Sequence, residues 1–280
     1  MPTVGHQRTE RSNQRYCLHW DKEHKVVKGY VLFHMWQPAK TILIERHKFF
    51  IEQARQRLLS QFANLEDEAK QAAEEWLERA GRNFNPDRDD PGSFEEAAYH
   101  EGIAFHQQLE DMRDSVRLSV VAGMFHEWDK QLRDWMVREI LHWHRGDEVQ
   151  ARIWAQDFGG LIDLFASFGW NIKSKPYFTA LEACRLVVNV YKHGDGGSFR
   201  DLKQRYPQFL ESPLKDFCIV GKWGNVIDYT DLRISDDQII DFSDAIIAFW
   251  TDVPERIYED QVSEVPKWFE KAWLKDKKRH

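Results

Sequence analysis

The sequence feature that most constrains the fold is a stripe of large apolar side chains near the middle of the chain. Six of them recur at steps of 3, 4, 3, 4 and 3 residues, namely Leu118, Val121, Phe125, Trp128, Leu132 and Trp135. Because an α-helix turns once in about 3.6 residues, these steps place all six side chains on one face. The helix is predicted to continue to Trp143 and to end at Gly146. An apolar face of this size has to be covered, which predicts a core helix in an all-α helical bundle.

The same periodicity predicts the other helices of the bundle. Apolar residues return at helical spacing over residues 41–62, 65–80, 149–168 and 175–193. Two more helices are expected to start at capping boxes, in which a serine and a Glu or Gln side chain bond the free N–H groups of the first turn. These are Ser93-Phe94-Glu95-Glu96 and Ser235-Asp236-Asp237-Gln238. Residues 226–234 include alternating apolar and β-branched side chains, which predicts a minor β element there.

The chain is expected to divide into three parts. Its 280 residues are enough to bury a sizeable core without disulfide or metal cross-links. We predict an irregular N-terminal appendage over residues 1–40, in which Val26 to Phe33 fit a strand or hairpin. The helical bundle follows over residues 41–254, and a C-terminal helix with a basic tail occupies residues 255–280.

Composition and spacing exclude several classes of protein. The cysteines, Cys17, Cys184 and Cys218, are far apart in the chain, so neither a disulfide framework nor a cysteine-rich zinc site is expected. No apolar run approaches the roughly 20 residues that a membrane span needs, and the first residues lack the apolar core of a signal peptide. We therefore expect a soluble, cytoplasmic protein with no membrane contact and no metal or other cofactor.

Charge is distributed unevenly along the chain. The net charge is -7, although residues 1–60 carry 11 Lys and Arg against 5 Asp and Glu. A basic arm of this kind can contact phosphate or an acidic partner, whereas the acidic remainder argues against a protein that coats nucleic acid without specificity. The 12 Trp and 18 Phe residues predict a large aromatic core and one protein interface.

The densest group of polar residues ends the helix predicted over 175–193. Asn189 and His193 are about 40° apart round that helix and about 6 Å apart along it, so they share a face. Gly194 is expected to end the helix in a left-handed conformation. The helix dipole favours a charged histidine at this end, where it can donate a proton or contact phosphate. Lys and His before Gly are also ordinary signals of a helix C-terminus, and that purely structural interpretation stays open.

The two long helices over residues 114–143 and 175–193, the second closing on Asn-x-x-Lys-His-Gly-Asp-Gly, resemble the higher eukaryotes and prokaryotes nucleotide-binding (HEPN) superfamily of α-helical bundles. The resemblance covers residues 93–250. Many members of that superfamily are metal-independent ribonucleases of toxin–antitoxin, CRISPR and phage-defence systems. They pair an arginine with a histidine a few residues further on, often across a dimer interface. The resemblance implies an RNA-acting component of a bacterial defence or toxin module, working as a homodimer or with a protein partner.

The resemblance also implies a catalytic set of His193, Arg185 and Asn189. His193 matches the family histidine, and Asn189 matches the polar residue that commonly stands before it. Val188 occupies the usual arginine position, and the nearest arginine is Arg185. Arg185 is expected to lie roughly 80° round the helix from His193 and about 12 Å back along it, with its side chain tilted away from the histidine.

Five further side chains are assigned to substrate binding: Lys192, Asp195, His126, Glu127 and Arg133. In the reaction that the resemblance implies, a ribose 2'-hydroxyl attacks the adjacent phosphorus while His193 moves a proton. Lys192 or Arg185 stabilises the charge that grows on the phosphoryl oxygens. His126 and Arg133 lie at an edge of the long helix that we expect to face His193, although ordinary surface or buried contacts would also account for them.

The remaining histidines are not expected to act in a site. His100, His106, His142 and His144 lack the spacing of metal ligands and are predicted to face solvent.

A second functional hypothesis is a non-catalytic helical interaction subunit of a larger assembly. The presence of Val188 in the arginine position and the acidic body of the chain favour it.

Overall fold

The all-α class predicted from the periodicity is confirmed. The computed structural model describes residues 29–211 and 227–279. Within those ranges the chain forms, in order, β1 (Val31–His34), α1 (Gln37–Arg57), α2 (Leu65–Gly81), α3 (Pro91–Leu141), α4 (Asp147–Ala155), α5 (Phe158–Ser167), α6 (Phe178–His193), α7 (Gly197–Arg205), α8 (Asp236–Asp252), β2 (Arg256–Tyr258) and α9 (Lys267–Arg279). None of the helices in these ranges combines the length and the apolar character needed to cross a bilayer.

The described residues form two compact units, each assembled from separate segments. The first, which we call the helical unit, comprises residues 36–134, 174–211 and 227–253. The second, the mixed unit, comprises residues 29–35, 135–173 and 254–279. The sequence predicts three consecutive parts with boundaries at residues 40 and 254. The two compact units combine distant segments of the chain instead, and the three-part division stays a prediction.

The helical unit buries its part of the α3 stripe. The buried side chains are Leu118, Val121, Phe125, Trp128 and Leu132. Trp128 packs edge-on against Phe249 of α8, with 5.0 Å between the ring centroids. Helices α1 and α6 also pack on α8, so this helix lies at the centre of the unit.

Two buried polar side chains of α1 find their partners on α8. Lys40 Nζ donates to the main-chain oxygens of Thr251 at 3.1 Å and Val253 at 2.7 Å. These carbonyls lie at the C-terminal end of α8, where the helix dipole favours a cation. His47 Nε2 forms a 2.9 Å hydrogen bond with Ser243 Oγ. Burial lowers the pKa of His47 to about 4, so the ring is neutral at physiological pH.

The mixed unit has an aromatic core round Phe33 of β1. The Phe33 ring centroid lies 5.6 Å from that of Trp135 and 5.1 Å from that of Phe168. Trp135 also stacks on Phe165, with 5.8 Å between centroids. These four rings are one part of the aromatic content that predicts a large core.

A two-stranded antiparallel sheet closes this core. β1 pairs with β2, with Val31 opposite Tyr258. On β1, Leu32 O accepts a 2.7 Å bond from Trp143 Nε1, and the His34 N–H donates to Glu139 Oε2 at 2.7 Å. These side-chain bonds satisfy backbone groups that an open strand edge would expose. Of the strand or hairpin predicted over 26–33, residues 26–28 lie outside the described residues.

The expectation that His144 faces solvent is wrong. The ring is buried, stacks on Trp273 with 3.9 Å between centroids, and places Nε2 3.0 Å from Asp276 Oδ2. The Asp276 carboxylate also accepts the main-chain N–H groups of Glu148 at 3.0 Å and Val149 at 3.1 Å. Asp276 of α9 therefore satisfies the start of α4, a partnership that no local sequence pattern reveals.

The two predicted capping boxes have different outcomes. Ser235 Oγ accepts from the Gln238 N–H at 3.2 Å, and Gln238 Oε1 accepts from the Ser235 N–H at 3.0 Å, so this box is confirmed. The box at Ser93 is wrong, because α3 already begins at Pro91 and Ser93 Oγ donates to Asp90 O at 2.7 Å. Proline suits a first helical position because it lacks the N–H that would be unpaired there.

The minor β element lies at β1 and β2, and its predicted place at 226–234 is wrong. Apart from residue 226, which lies outside the described residues, this range holds a 3-10 turn over 229–231 and a single bridge from Leu232 to Leu210. Asp228 caps the turn by accepting the Thr230 N–H at 2.7 Å. Aspartate side chains that bond their own backbone compete with strand pairing.

Candidate functional site

Helix α6 carries most of the predicted site, and most of its length is core. Its buried residues are Leu181, Ala183, Cys184, Leu186, Val187, Val188 and Val190. Glu182, Arg185 and Asn189 are partly exposed, and the last three residues, Tyr191, Lys192 and His193, are exposed. The helix therefore leaves the core only in its final turn.

Gly194 ends α6 as predicted. Its φ is 67°, and its N–H donates to Val190 O at 2.8 Å. A residue with a Cβ is strained at this φ, which is why glycine suits the position.

His193 and Asn189 both reach the surface on the helix face that they were predicted to share. The His193 side chain is exposed. Asp195 follows Gly194 and is also exposed. The imidazole is therefore accessible to a ligand.

Helix α3 reaches the end of α6 along one edge. Ser119 Oγ and Tyr191 OH form a 2.9 Å hydrogen bond. Burial is the main cause that lowers the pKa of His126, and the nearby Lys192 ammonium lowers it further. Ser119 and His126 are about two turns apart and so lie on the same face of α3. The charge of Lys192 therefore acts on the His126 ring.

The other two α3 residues of the predicted set bond within their own helix. Glu127 Oε1 accepts from Gln131 Nε2 at 3.0 Å. Arg133 is buried and bonds Asp129 through both Nε at 2.7 Å and Nη2 at 3.0 Å. A bidentate pair of this kind satisfies much of the guanidinium, so binding a phosphate there would require Arg133 to leave its carboxylate.

Arg185 lies beside Glu182. The hydrogen bond from Arg205 is the main cause that lowers the pKa of Glu182, and the charge of Arg185 acts in the same direction. This position agrees with the tilt of helical side chains towards the N-terminus. Val188, at the position where the HEPN resemblance implies an arginine, is buried.

Two exposed tyrosines that the sequence does not single out border His193. Tyr191 directly precedes Lys192, and Tyr229 packs against Gly194. The aromatic residue next to the Lys-His pair is a local signal for Tyr191, whereas nothing in the sequence links residue 229 to residue 194. We use the name α6 tip for the surface formed by Tyr191, Lys192, His193, His126 and Tyr229.

The α6 tip offers an accessible imidazole, a cation and two aromatic rings. In the part of the chain that the structure describes, no group of three or more His, Cys, Asp or Glu side chains is placed to hold a metal ion. Comparison with family models, curated proteins and solved structures gives no match to this chain.

Proposed function

We propose that this chain acts on RNA at the α6 tip, as a HEPN-like component of a bacterial defence or toxin module in the cytoplasm. The observation that carries the proposal is the combination of an exposed imidazole, His193, with the Lys192 ammonium and the exposed rings of Tyr191 and Tyr229. Proteins hold single-stranded nucleic acids with cations on the phosphates and aromatic rings on the bases. An imidazole in such a place adds a group that transfers protons near neutral pH.

The proposed reaction is transesterification of the RNA backbone. The 2'-hydroxyl loses its proton to an imidazole as its oxygen attacks the adjacent phosphorus. The bond from phosphorus to the 5'-oxygen then breaks, and that oxygen takes a proton, which leaves a 2',3'-cyclic phosphate and a 5'-hydroxyl. His193 is one proton carrier, and His126, whose lowered pKa favours the neutral ring, is the second. Lys192 stabilises the charge on the phosphoryl oxygens.

The arginine that the HEPN resemblance implies would come from outside the chain. Val188 is buried and Arg185 lies beside Glu182, so neither position supplies a guanidinium next to His193. We propose that a second copy of the chain or a partner protein supplies it. In its absence Lys192 is the cation of the site.

Cleavage of labelled RNA in the presence of EDTA tests the proposal. We expect the purified chain to cut single-stranded RNA and to leave 2',3'-cyclic phosphate ends. His193→Ala is expected to lower the rate by about 100-fold or more, because acid–base catalysis contributes roughly 100- to 10,000-fold. His100→Ala, which removes an exposed histidine of α3, is the matched control and should cut at the wild-type rate.

Three outcomes separate the parts of this proposal. Equal rates for wild type and His193→Ala would reject the catalytic role of His193. RNA that binds but stays intact would leave an RNA-binding protein without nuclease activity. Failure to bind RNA at all would reject action on RNA.

The second candidate function is a non-catalytic interaction subunit of a larger assembly. It is favoured by large apolar side chains exposed on α1, where Ile42 and Phe49 lie about two turns apart on one face. The native mass of the assembly from host cells, with intact RNA after incubation, would support it. Phe49→Asp would then reduce the mass to that of a single chain, whereas a wild-type chain that is already monomeric would reject it.

A further inference from the structure

The Tyr229 ring lies over the position that a Cβ of Gly194 would occupy, at the end of α6. A Cβ built on Gly194 would lie 3.5 Å from Cδ2, 3.5 Å from Cε2 and 3.6 Å from Cγ of Tyr229. A point almost equally distant from three neighbouring atoms of a ring lies above the ring face and not beside its edge. One face of the Tyr229 ring therefore covers Gly194, the residue that follows His193.

Tyr229 is 47% exposed, so a large part of its side chain reaches solvent. An aromatic ring with one face over Gly194 and a solvent-exposed part offers an apolar surface to a ligand. Such a surface is what an unpaired nucleic-acid base stacks on, and any of the four bases fits because each has a π face.

The backbone that carries Tyr229 is held in place on both sides. Asp228 Oδ1 accepts the Thr230 N–H at 2.7 Å, and Asp231 Oδ2 accepts the Asp228 N–H at 2.9 Å. The Glu211 N–H donates to Asp231 O at 2.9 Å, which ties the turn to the segment after α7. The backbone of this turn is thus held before any ligand arrives, which lowers the entropy cost of binding at Tyr229.

Two lysines belong to the chain segments that meet near this ring. Lys203 Nζ donates to the main-chain oxygen of Ile227 at 3.1 Å, two residues before Tyr229. Lys192 and His193 lie on the other side of Gly194, on the last turn of α6. Phosphates on either side of a stacked base would meet a positive group, although the exposed Asp228 and Asp195 carboxylates limit the net charge.

We infer that Tyr229 is a base-stacking platform that selects single-stranded over double-stranded RNA, with the phosphate next to the stacked base lying towards His193. The inference rests on the proposed action on RNA. It adds that the site binds RNA as a single strand. Bases of a duplex are stacked on each other and have no free face to offer, so a duplex would lose this contact.

RNA carrying one 2-aminopurine provides the test, because stacking on an aromatic ring quenches the fluorescence of this base. The full chain is titrated with a single-stranded 12-nucleotide RNA and with its duplex, and affinity and quenching are both measured. Tyr229→Leu keeps an apolar side chain over Gly194 but removes the ring, and Tyr229→Phe restores the ring. Tyr99→Leu, at an exposed tyrosine of α3, is the matched control.

We expect wild type, Tyr229→Phe and Tyr99→Leu to bind the single strand with similar affinity and to quench the probe. Tyr229→Leu should bind it roughly 5- to 150-fold more weakly, since stacking on an aromatic ring contributes about 1–3 kcal/mol per base. Tyr229→Leu should no longer quench the probe. Wild type should bind the duplex more weakly than the single strand, and Tyr229→Leu should bind the duplex with the same affinity as wild type.

The failures are distinguishable. If wild type binds RNA and Tyr229→Leu quenches equally well, Tyr229 is not the platform, while the proposed function stands. If Tyr229→Leu weakens single strand and duplex equally, its effect is structural and the inference is wrong. If wild type binds neither RNA, the proposed function fails and the inference fails with it.

Discussion

Removal of the Asp276 carboxylate is expected to destabilise the mixed unit more than any single surface change. Asp276 is 2% exposed and accepts three hydrogen bonds, from His144 Nε2 and from the N–H groups of Glu148 and Val149. Asp276→Ala leaves all three donors without that acceptor, two of them buried and the Glu148 N–H partly buried. The substitution also removes the carboxylate that satisfies the start of α4.

The magnitude follows from these contacts. Loss of a cap at a helix N-terminus costs about 1 kcal/mol, and removal of one partner of a buried hydrogen-bonded pair costs about 3–5 kcal/mol. These terms overlap because one side chain makes all the bonds. We therefore expect the free energy of unfolding to fall by about 3–5 kcal/mol. Gly146→Ala should act on the same contact, because its Cβ would lie 2.1 Å from Asp276 Cγ.

The same carboxylate predicts a loss of stability in acid. Burial alone would raise the pKa of Asp276, but the hydrogen bonds from His144, Glu148 and Val149 outweigh it and hold the pKa below its usual value. A depressed pKa in the folded state means that the carboxylate stabilises the fold above the unfolded pKa of about 3.9. That contribution disappears as pH falls through the folded value. Asp276→Asn should therefore lose less stability than wild type as pH falls below about 4.

Urea unfolding followed by circular dichroism and tryptophan fluorescence measures both effects. Asp147→Asn is the matched control, because Asp147 is an exposed carboxylate in the first turn of the same helix and should contribute only a few tenths of a kcal/mol. The reasoning is refuted if Asp276→Ala remains folded and costs no more than Asp147→Asn. An unchanged acid profile for Asp276→Asn would refute the argument from pKa.

Three further changes test the helical unit. Burial lowers the pKa of His47 to about 4, so as pH falls the histidine is protonated in the unfolded chain before it is protonated in the folded protein. The free energy of unfolding should therefore fall by about 3 kcal/mol between pH 6.5 and pH 4. His47→Gln should flatten that profile in urea titrations, and an unchanged slope would contradict the assignment. Lys40→Met leaves the Val253 carbonyl without its cation and should cost about 2 kcal/mol, seen as a lower urea midpoint. Gly194→Ala forces a Cβ into a φ of 67° and should cost about 1 kcal/mol by the same assay, whereas no change would show that another backbone conformation is accessible.

The helices follow from the sequence because their hydrogen bonds are local. The apolar stripe of α3 is buried, the Ser235 box starts α8, and Gly194 ends α6. Each of these signals acts within about one or two turns of the chain, so no knowledge of distant segments is needed. The exposure of His193 follows in the same way from its place in the last turn before a glycine.

Distant partners account for what the sequence does not reveal. His144 looks like an ordinary surface histidine until Asp276, 132 residues further on, packs against it. Residues 226–234 alternate like a strand, but a strand forms only where a partner strand pairs with it. The turn capped by Asp228 occupies this range, whereas β1 and β2 find each other across the chain. In the candidate site, Arg133 is paired with Asp129 at helical spacing, a contact that the sequence allows but does not require.

The sequence alone determines that this protein is helical and that the polar side chains of Lys192 and His193 are exposed at the end of α6. Only the tertiary structure decided which distant side chains meet that end: His126, on which the charge of Lys192 acts, and Tyr229, which lies over Gly194. The physical reason is one of range. Periodicity and caps are set by neighbours a few residues away, whereas the groups that meet at a surface are chosen by the packing of whole helices.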